Sequence, residues 1–118
     1  MKPENLLKVA DLIEKAAADP KAPVAFDMLT FSNTCGTAGC IAGFAVIAEK
    51  GLRAFWHPLD SISLTATRYL GLTVSEADAL FYGDDLFLHD ITPAMAVATL
   101  RRAARTGKIK WHRQRAKK

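Results

Sequence analysis

The sequence has no apolar run of the roughly 20 residues needed to cross a bilayer. Its first residues, Met1-Lys2-Pro3-Glu4-Asn5, lack the basic and apolar regions of a signal peptide, so the expected location is the cytoplasm. There are only two cysteines, Cys35 and Cys40, and in a reducing compartment these are expected to be thiols. Their spacing is not the C-x-x-C redox motif, and on a helix it sets the sulfurs on different sides, too far apart for a disulfide. Only a turn between them brings them close. Neither a G-x-x-x-x-G-K-[ST] loop nor a G-x-G-x-x-G fingerprint occurs, which excludes the common nucleotide cradles. The three histidines, His57, His89 and His112, are scattered and form no helical H-x-x-x-H pair, so a zinc site built on the cysteines has no evident remaining ligands. No acid occurs after residue 100.

What is present is an apolar chain of 118 residues, half of them hydrophobic, enough for one domain with a modest core. Its centre is the uncharged run from Cys35 to Ala48, which holds three of the seven glycines. Alanine-rich and free of proline, it predicts a helix over Ala38–Lys50. Ile41, Phe44, Ala45 and Ala48 share one face, and Val46 and Ile47 make a second side apolar, the pattern of a helix buried among others. Gly39 and Gly43 lie one turn apart and leave a strip for close approach; Gly51 is the expected left-handed stop. Thr34 or Thr37 is the expected cap. Gly36, Thr37 and Gly39 form a candidate anion site at the helix start, weighed against an ordinary capped turn, which is preferred.

The flanking elements follow from local signals. Pro3–Ala18 has an apolar stripe of Leu6, Ala10, Ile13 and Ala17, widened by Val9 and Leu12, and stops at Asp19-Pro20. Val24–Met28 reads as a short extended segment, and Leu52–Leu59 as an irregular loop tucked in by its aromatic residues. Ser61–Leu70 is a helix capped by Ser61 or Asp60, with an inner face of Ile62, Ala66, Tyr69 and Leu70, closed by Gly71. Thr73-Val74-Ser75-Glu76 is a capping box opening a helix to Phe81 or Tyr82, with Leu72 and Ala77 as its staple. Asp84 to Asp90 is an acidic loop whose spacing does not fit an EF-hand. Thr92-Pro93 opens a last helix with Val97, Leu100 and Ala104 inward, ended by Gly107. Lys108–Trp111 alternates basic and apolar residues and is expected to pair with the Phe26 region. The expected fold is mainly α: one small domain of about five helices over residues 1–111 around a central apolar helix, with a short two-stranded pairing and a basic tail at 112–118.

Charge is distributed very unevenly. Nine of the 16 Lys and Arg residues lie between Arg101 and Lys118, so the first 100 residues carry a net −5 and the remainder +9. Such asymmetry suggests nucleic acid, an acidic protein face or a solubilising tail. The candidate binding residues are Arg101, Arg102, Arg105, Lys108, Lys110, Trp111, Arg113 and Arg115, with Trp111 and His112 as flat rings among the charges. The alternative for Trp111 is packing on the body. No spacing singles out an acid–base pair, and nothing in the sequence brings a histidine to Cys40 as a nucleophile's base. The first expectation is a non-enzymatic interaction protein without cofactor or metal. Nucleic-acid binding by the basic end is the second, and a small ligand, anion or metal at Cys35–Cys40 the third.

Several of these residues form a wider pattern. Phe26-Asp27-Met28 is followed by Cys35-Gly36-Thr37-Ala38-Gly39-Cys40-Ile41-Ala42-Gly43-Phe44-Ala45, Leu70-Gly71-Leu72, Leu80-Phe81, Ile91-Thr92-Pro93 and Thr106-Gly107-Lys108-Ile109-Lys110-Trp111. The chain thereby resembles a group of small bacterial and phage proteins with the motif C-G-T-x-x-C-x-x-G-x-A and a closing T-G-x-I/V-x-W. The resemblance implies a phage, prophage or accessory-gene setting and carries no settled activity. The basic end departs from that pattern, which has an acid before the final tryptophan.

Overall fold

A computed structural model describes residues 1–22, 25–26, 38–56, 61–82 and 91–111. Among them, six helices and one two-residue pairing form a mainly α, single small domain. The elements are α1 (Pro3–Ala18), β1 (Ala25–Phe26), β2 (Ala38–Gly39), α2 (Ile41–Lys50), α3 (Leu52–Trp56), α4 (Ile62–Leu70), α5 (Val74–Phe81) and α6 (Pro93–Thr106).

The centre is α2, which packs against α1, α3, α4 and α5. Six successive residues from Ile41 to Val46 are buried, as its all-round apolar pattern predicts. It starts three residues later than alanine content suggests. Ala38 and Gly39 are instead drawn into parallel pairing with Ala25 and Phe26, and Cys40 is extended and caps the helix without a side-chain hydrogen bond to its first amides. Tertiary pairing overrides propensity here. Phe26 then stands by Phe44, ring centroids 6.3 Å apart, fastening β1 to α2.

Gly39 lies outside α2, and within the helix the close approach falls on Gly43. A Cβ there would sit 2.6 Å from Cε1 of Phe55, a distance no real Cβ contact tolerates. The partner is a buried ring rather than a backbone. It comes from α3, a helix in place of the irregular loop that the sequence suggests; five residues are too few for periodicity to reveal. Gly51 ends α2 at φ 90°, ψ 173°, a positive-φ conformation other than the left-handed helical one expected.

Helix ends are closed by other helices. The left-handed Gly71 ends α4 in a Schellman arrangement, Leu72 N–H to Thr67 O and Gly71 N–H to Arg68 O. The two remaining carbonyls of that turn accept from the start of α1: Leu70 O from Lys2 N–H at 2.8 Å and Tyr69 O from the Asn5 side chain at 2.7 Å. The backbone of Lys2 passes so near that a Cβ on Gly71 would lie 3.3 Å from its nitrogen. Ser61, Thr73 and Thr92 cap α4, α5 and α6 as expected, Thr73 in a complete capping box with Glu76.

Two inner faces shift by one position. Ala16, not Ala17, completes the α1 stripe, and Ala103, rather than the half-buried Ala104, is the last buried residue of α6. On α4, Thr65 is buried and Tyr69 only half so. The expected pairing of Lys108–Trp111 with the Phe26 region does not form, since that region pairs with β2. The acidic loop 84–90 and the tail 112–118 lie outside the described residues.

Gly43→Ala separates packing from propensity. Alanine favours a helix interior by roughly 1 kcal/mol over glycine, yet overpacking against Phe55 costs about 1–3 kcal/mol. The expected outcome is a lower urea midpoint, partly recovered when Phe55→Leu is added, because the second change removes the obstructing ring edge.

Candidate functional site

The basic end is built on α6. Its buried face, Met95, Ala96, Val97, Thr99, Leu100 and Ala103, turns to the core, and α1 is its principal neighbour. That leaves Ala94, Ala98, Arg101, Arg102 and Arg105 along the outer side at three- and four-residue steps.

These arginines are not equivalent. Arg101 reaches across to α1, where its guanidinium donates to both oxygens of Glu14, at 2.9 and 3.1 Å, and to Asp11 at 3.2 Å. The hydrogen bond from Arg101 holds the Glu14 carboxyl below its ordinary range, and the same contacts raise Arg101 further above its own. Arg101 therefore clasps α1 to α6, and its charge is already matched. Arg102, Arg105, Lys108 and Lys110 are exposed, and no carboxylate pairs with them among the described residues.

Past α6 the chain is held firmly. The left-handed Gly107 donates to Ala103 O at 2.8 Å. The Thr106 hydroxyl donates to Arg102 O at 2.9 Å and accepts from Lys108 N–H at 3.3 Å. Beyond the turn, exposure alternates: Lys108 out, Ile109 half-buried, Lys110 out, Trp111 buried at 4% exposure. The alternation predicted from sequence is real, but it serves docking onto the body rather than sheet pairing. The indole N–H of Trp111 donates to Ala79 O at 2.7 Å, one of the last-turn carbonyls of α5 that its own helix leaves over.

Two open hollows meet at Arg102. One, about 570 Å³, has Arg101, Arg102 and Arg105 over a floor that includes Ala17, Ala94 and Ala98. The other, about 610 Å³, is lined by Arg102, Thr106, Lys108, Ile109 and Lys110. The structure thus brings Arg102, Arg105, Lys108 and Lys110 onto one edge. It sets Arg101 against the α1 carboxylates and buries Trp111 as a strut, the packing on the body that stands as the alternative to a place among the binding residues. Arg113 and Arg115 lie outside the described residues. Arg105 in the last turn complements the negative end of the α6 dipole, but that field fades beyond the turn and does not account for Lys108 and Lys110.

The other candidate site changes character. Gly39 is a strand residue two positions ahead of α2, while Gly36, Thr37 and Cys35 lie outside the described residues. Cys40 is fully buried. Among the described residues no group of three His, Cys, Asp or Glu is placed to hold a metal ion, and no helix is long and apolar enough to cross a membrane. Asp84, Asp85 and all three histidines fall outside that description. Tyr69 has its phenol pushed above the ordinary range by burial and then by the charge of Glu49.

Sequence reasoning missed the clasp. Asp11 and Glu14 stand three apart on one helix face, a visible signal, but nothing local names Arg101 as their partner. Comparison with protein families, curated proteins and solved structures finds no match to the chain.

Two outcomes follow from this geometry. A carboxyl whose pKa is depressed on folding stabilises the protein above its unfolded value, and that contribution disappears as pH falls through the folded value. For Glu14 the ordinary value is 4.5, so Glu14→Gln lowers the urea midpoint near neutrality, and the difference from the parent protein closes as pH drops below 4.5. Trp111→Phe keeps the apolar bulk but removes the indole hydrogen bond to Ala79 O, costing about 0.5–1.5 kcal/mol, whereas Trp111→Ala costs about 3–5 kcal/mol; denaturant titration reads both.

Proposed function

We propose that this chain is a non-enzymatic interaction protein that binds an acidic macromolecular partner through the edge carrying Arg102, Arg105, Lys108 and Lys110. The observation that carries the reading is that these four cations share one surface and have no acidic partner among the described residues. Arg101, close by, shows what this protein does with an arginine used for cohesion: it supplies two carboxylates. Arg113, Arg115, Lys117 and Lys118 extend the positive field in sequence beyond Trp111. Like charges gathered without counter-charges repel one another, and a polyanion relieves that repulsion on binding. A cytoplasmic location and the phage, prophage or accessory setting implied by the motif resemblance belong to the same reading.

Binding of labelled polyglutamate, inorganic polyphosphate and duplex DNA to the full chain tests it at about 0.15 M salt, where charges more than roughly 8 Å apart are screened. At least one polymer is expected to bind saturably. The triple variant Arg102→Glu, Lys108→Glu, Lys110→Glu should weaken that binding by about tenfold or more at an unchanged urea midpoint, because surface changes away from the core leave stability nearly untouched. Equal binding by the triple variant, or none by the parent protein to any polymer, would overturn the proposal.

A further inference from the structure

We infer that the polyanion is duplex nucleic acid, gripped along its phosphodiester backbone without base stacking. This rests on the reading just given and names the partner class of the same edge.

Extent comes first. Arg102 lines both hollows, so the cations do not converge on a single pocket for a small anion. They form a track, with Arg105 on the helix side and Lys108 and Lys110 beyond the turn. A track of separated positive charges fits a polymer with regularly repeated negative ones. It is also preorganised: Thr106 closes the turn beneath Arg102 and Lys108, and Ile109 and Trp111 face the body so that Lys108 and Lys110 face outward.

The surroundings of the cations favour nucleic acid over an acidic protein. Stable protein interfaces bury an apolar centre with large anchoring side chains, aromatic ones above all. Neither hollow is lined by an aromatic residue, and the helix-side one has only small apolar side chains, Ala17, Pro93, Ala94, Val97 and Ala98, with Glu14 at its margin held by Arg101. Nucleic-acid interfaces are by contrast polar and strongly positive.

The missing ring also distinguishes duplex from single strand. Single-strand binders stack bases on exposed aromatic side chains. The aromatic residue of this basic segment within the described chain is Trp111, whose ring is buried and whose N–H is taken by Ala79 O. Nor does an Asn or Gln line either hollow to pair with adenine. The cations that remain meet phosphate, which positions a protein on a duplex without reading sequence, and the arginines among them are also the residue type that pairs with guanine edges. The negative balance of the first 100 residues turns the rest of the molecule away from the backbone.

Fluorescence anisotropy of the full chain with two duplexes of unrelated sequence, a single strand of equal length and polyglutamate tests this inference. Both duplexes are expected to bind within about twofold of each other and more tightly than the single strand, with log K falling linearly in log salt. Neutralising Arg102, Lys108 and Lys110 together, by Gln at each, should reduce the magnitude of that slope by about 2.7, or roughly 0.9 for each phosphate no longer matched by a cation. Trp111→Phe, confirmed folded by its denaturation curve, should leave duplex affinity within about twofold, since the ring is not a stacking plate. Tighter binding of the single strand, with loss on Trp111→Phe, would overturn the inference. Binding of polyglutamate without duplex would overturn it while leaving the acidic-partner reading intact, and absence of all binding would remove both. Sedimentation showing head-to-tail self-association through the same three cations, without duplex binding, would also overturn it by naming a second copy as the partner.

Discussion

The contact on which the architecture depends is that between Gly43 and the ring of Phe55. A helix buried from Ile41 to Val46 must meet neighbours all round, and side chains of ordinary size would hold those neighbours away. The missing side chain at Gly43 lets α3 fold back immediately after Gly51 and seal one flank of α2 with an aromatic ring. With that flank closed, α1, α4 and α5 occupy the other sides, and α6 packs chiefly on α1. The basic edge lies on the side of α6 turned away from this packing.

A second theme is the sharing of helix ends. A short helix leaves a large part of its backbone unpaired, since four carbonyls at one end and four N–H groups at the other have no partner within it. This protein satisfies several of these groups between elements far apart in sequence: Lys2 and Asn5 serve the end of α4, and Trp111 serves the end of α5. The N-terminal turn and the C-terminal segment thus fasten the C-terminal ends of α4 and α5 respectively. Tryptophan suits the second role because one side chain supplies both a large apolar face and a donor.

Features encoded within a few residues are legible from the sequence alone. The caps at Ser61, Thr73 and Thr92, the stop at Gly71 and the stripes of α1 and α6 each depend on neighbours along the chain, and they appear where expected, apart from single-position shifts. What escapes depends on distant partners. Ala38 and Gly39 read as helix because the competing segment at Ala25–Phe26 is separated from them by a long connection. Arg101 reads as one more binding cation because its carboxylates stand 87 and 90 residues away. Of the candidate site, the charge and its place in the chain are visible; which cations remain available and which ring is removed from service are not. The composition of the Lys108–Trp111 stretch suggests a strand, and only the fold shows that its alternation points inward at the body.

The indole-to-Ala79 bond has a mechanical consequence. Were α6 simply to run out into a loose end, a pull on Lys108 or Lys110 would unwind its last turn. With Trp111 seated in the core and tied to α5, the same pull is divided between two helices, and the segment between Gly107 and Trp111 behaves as a strap anchored at both ends. A load on that strap draws against the middle of the molecule, so the cohesion of α5 with the end of α6 is borne by one tryptophan.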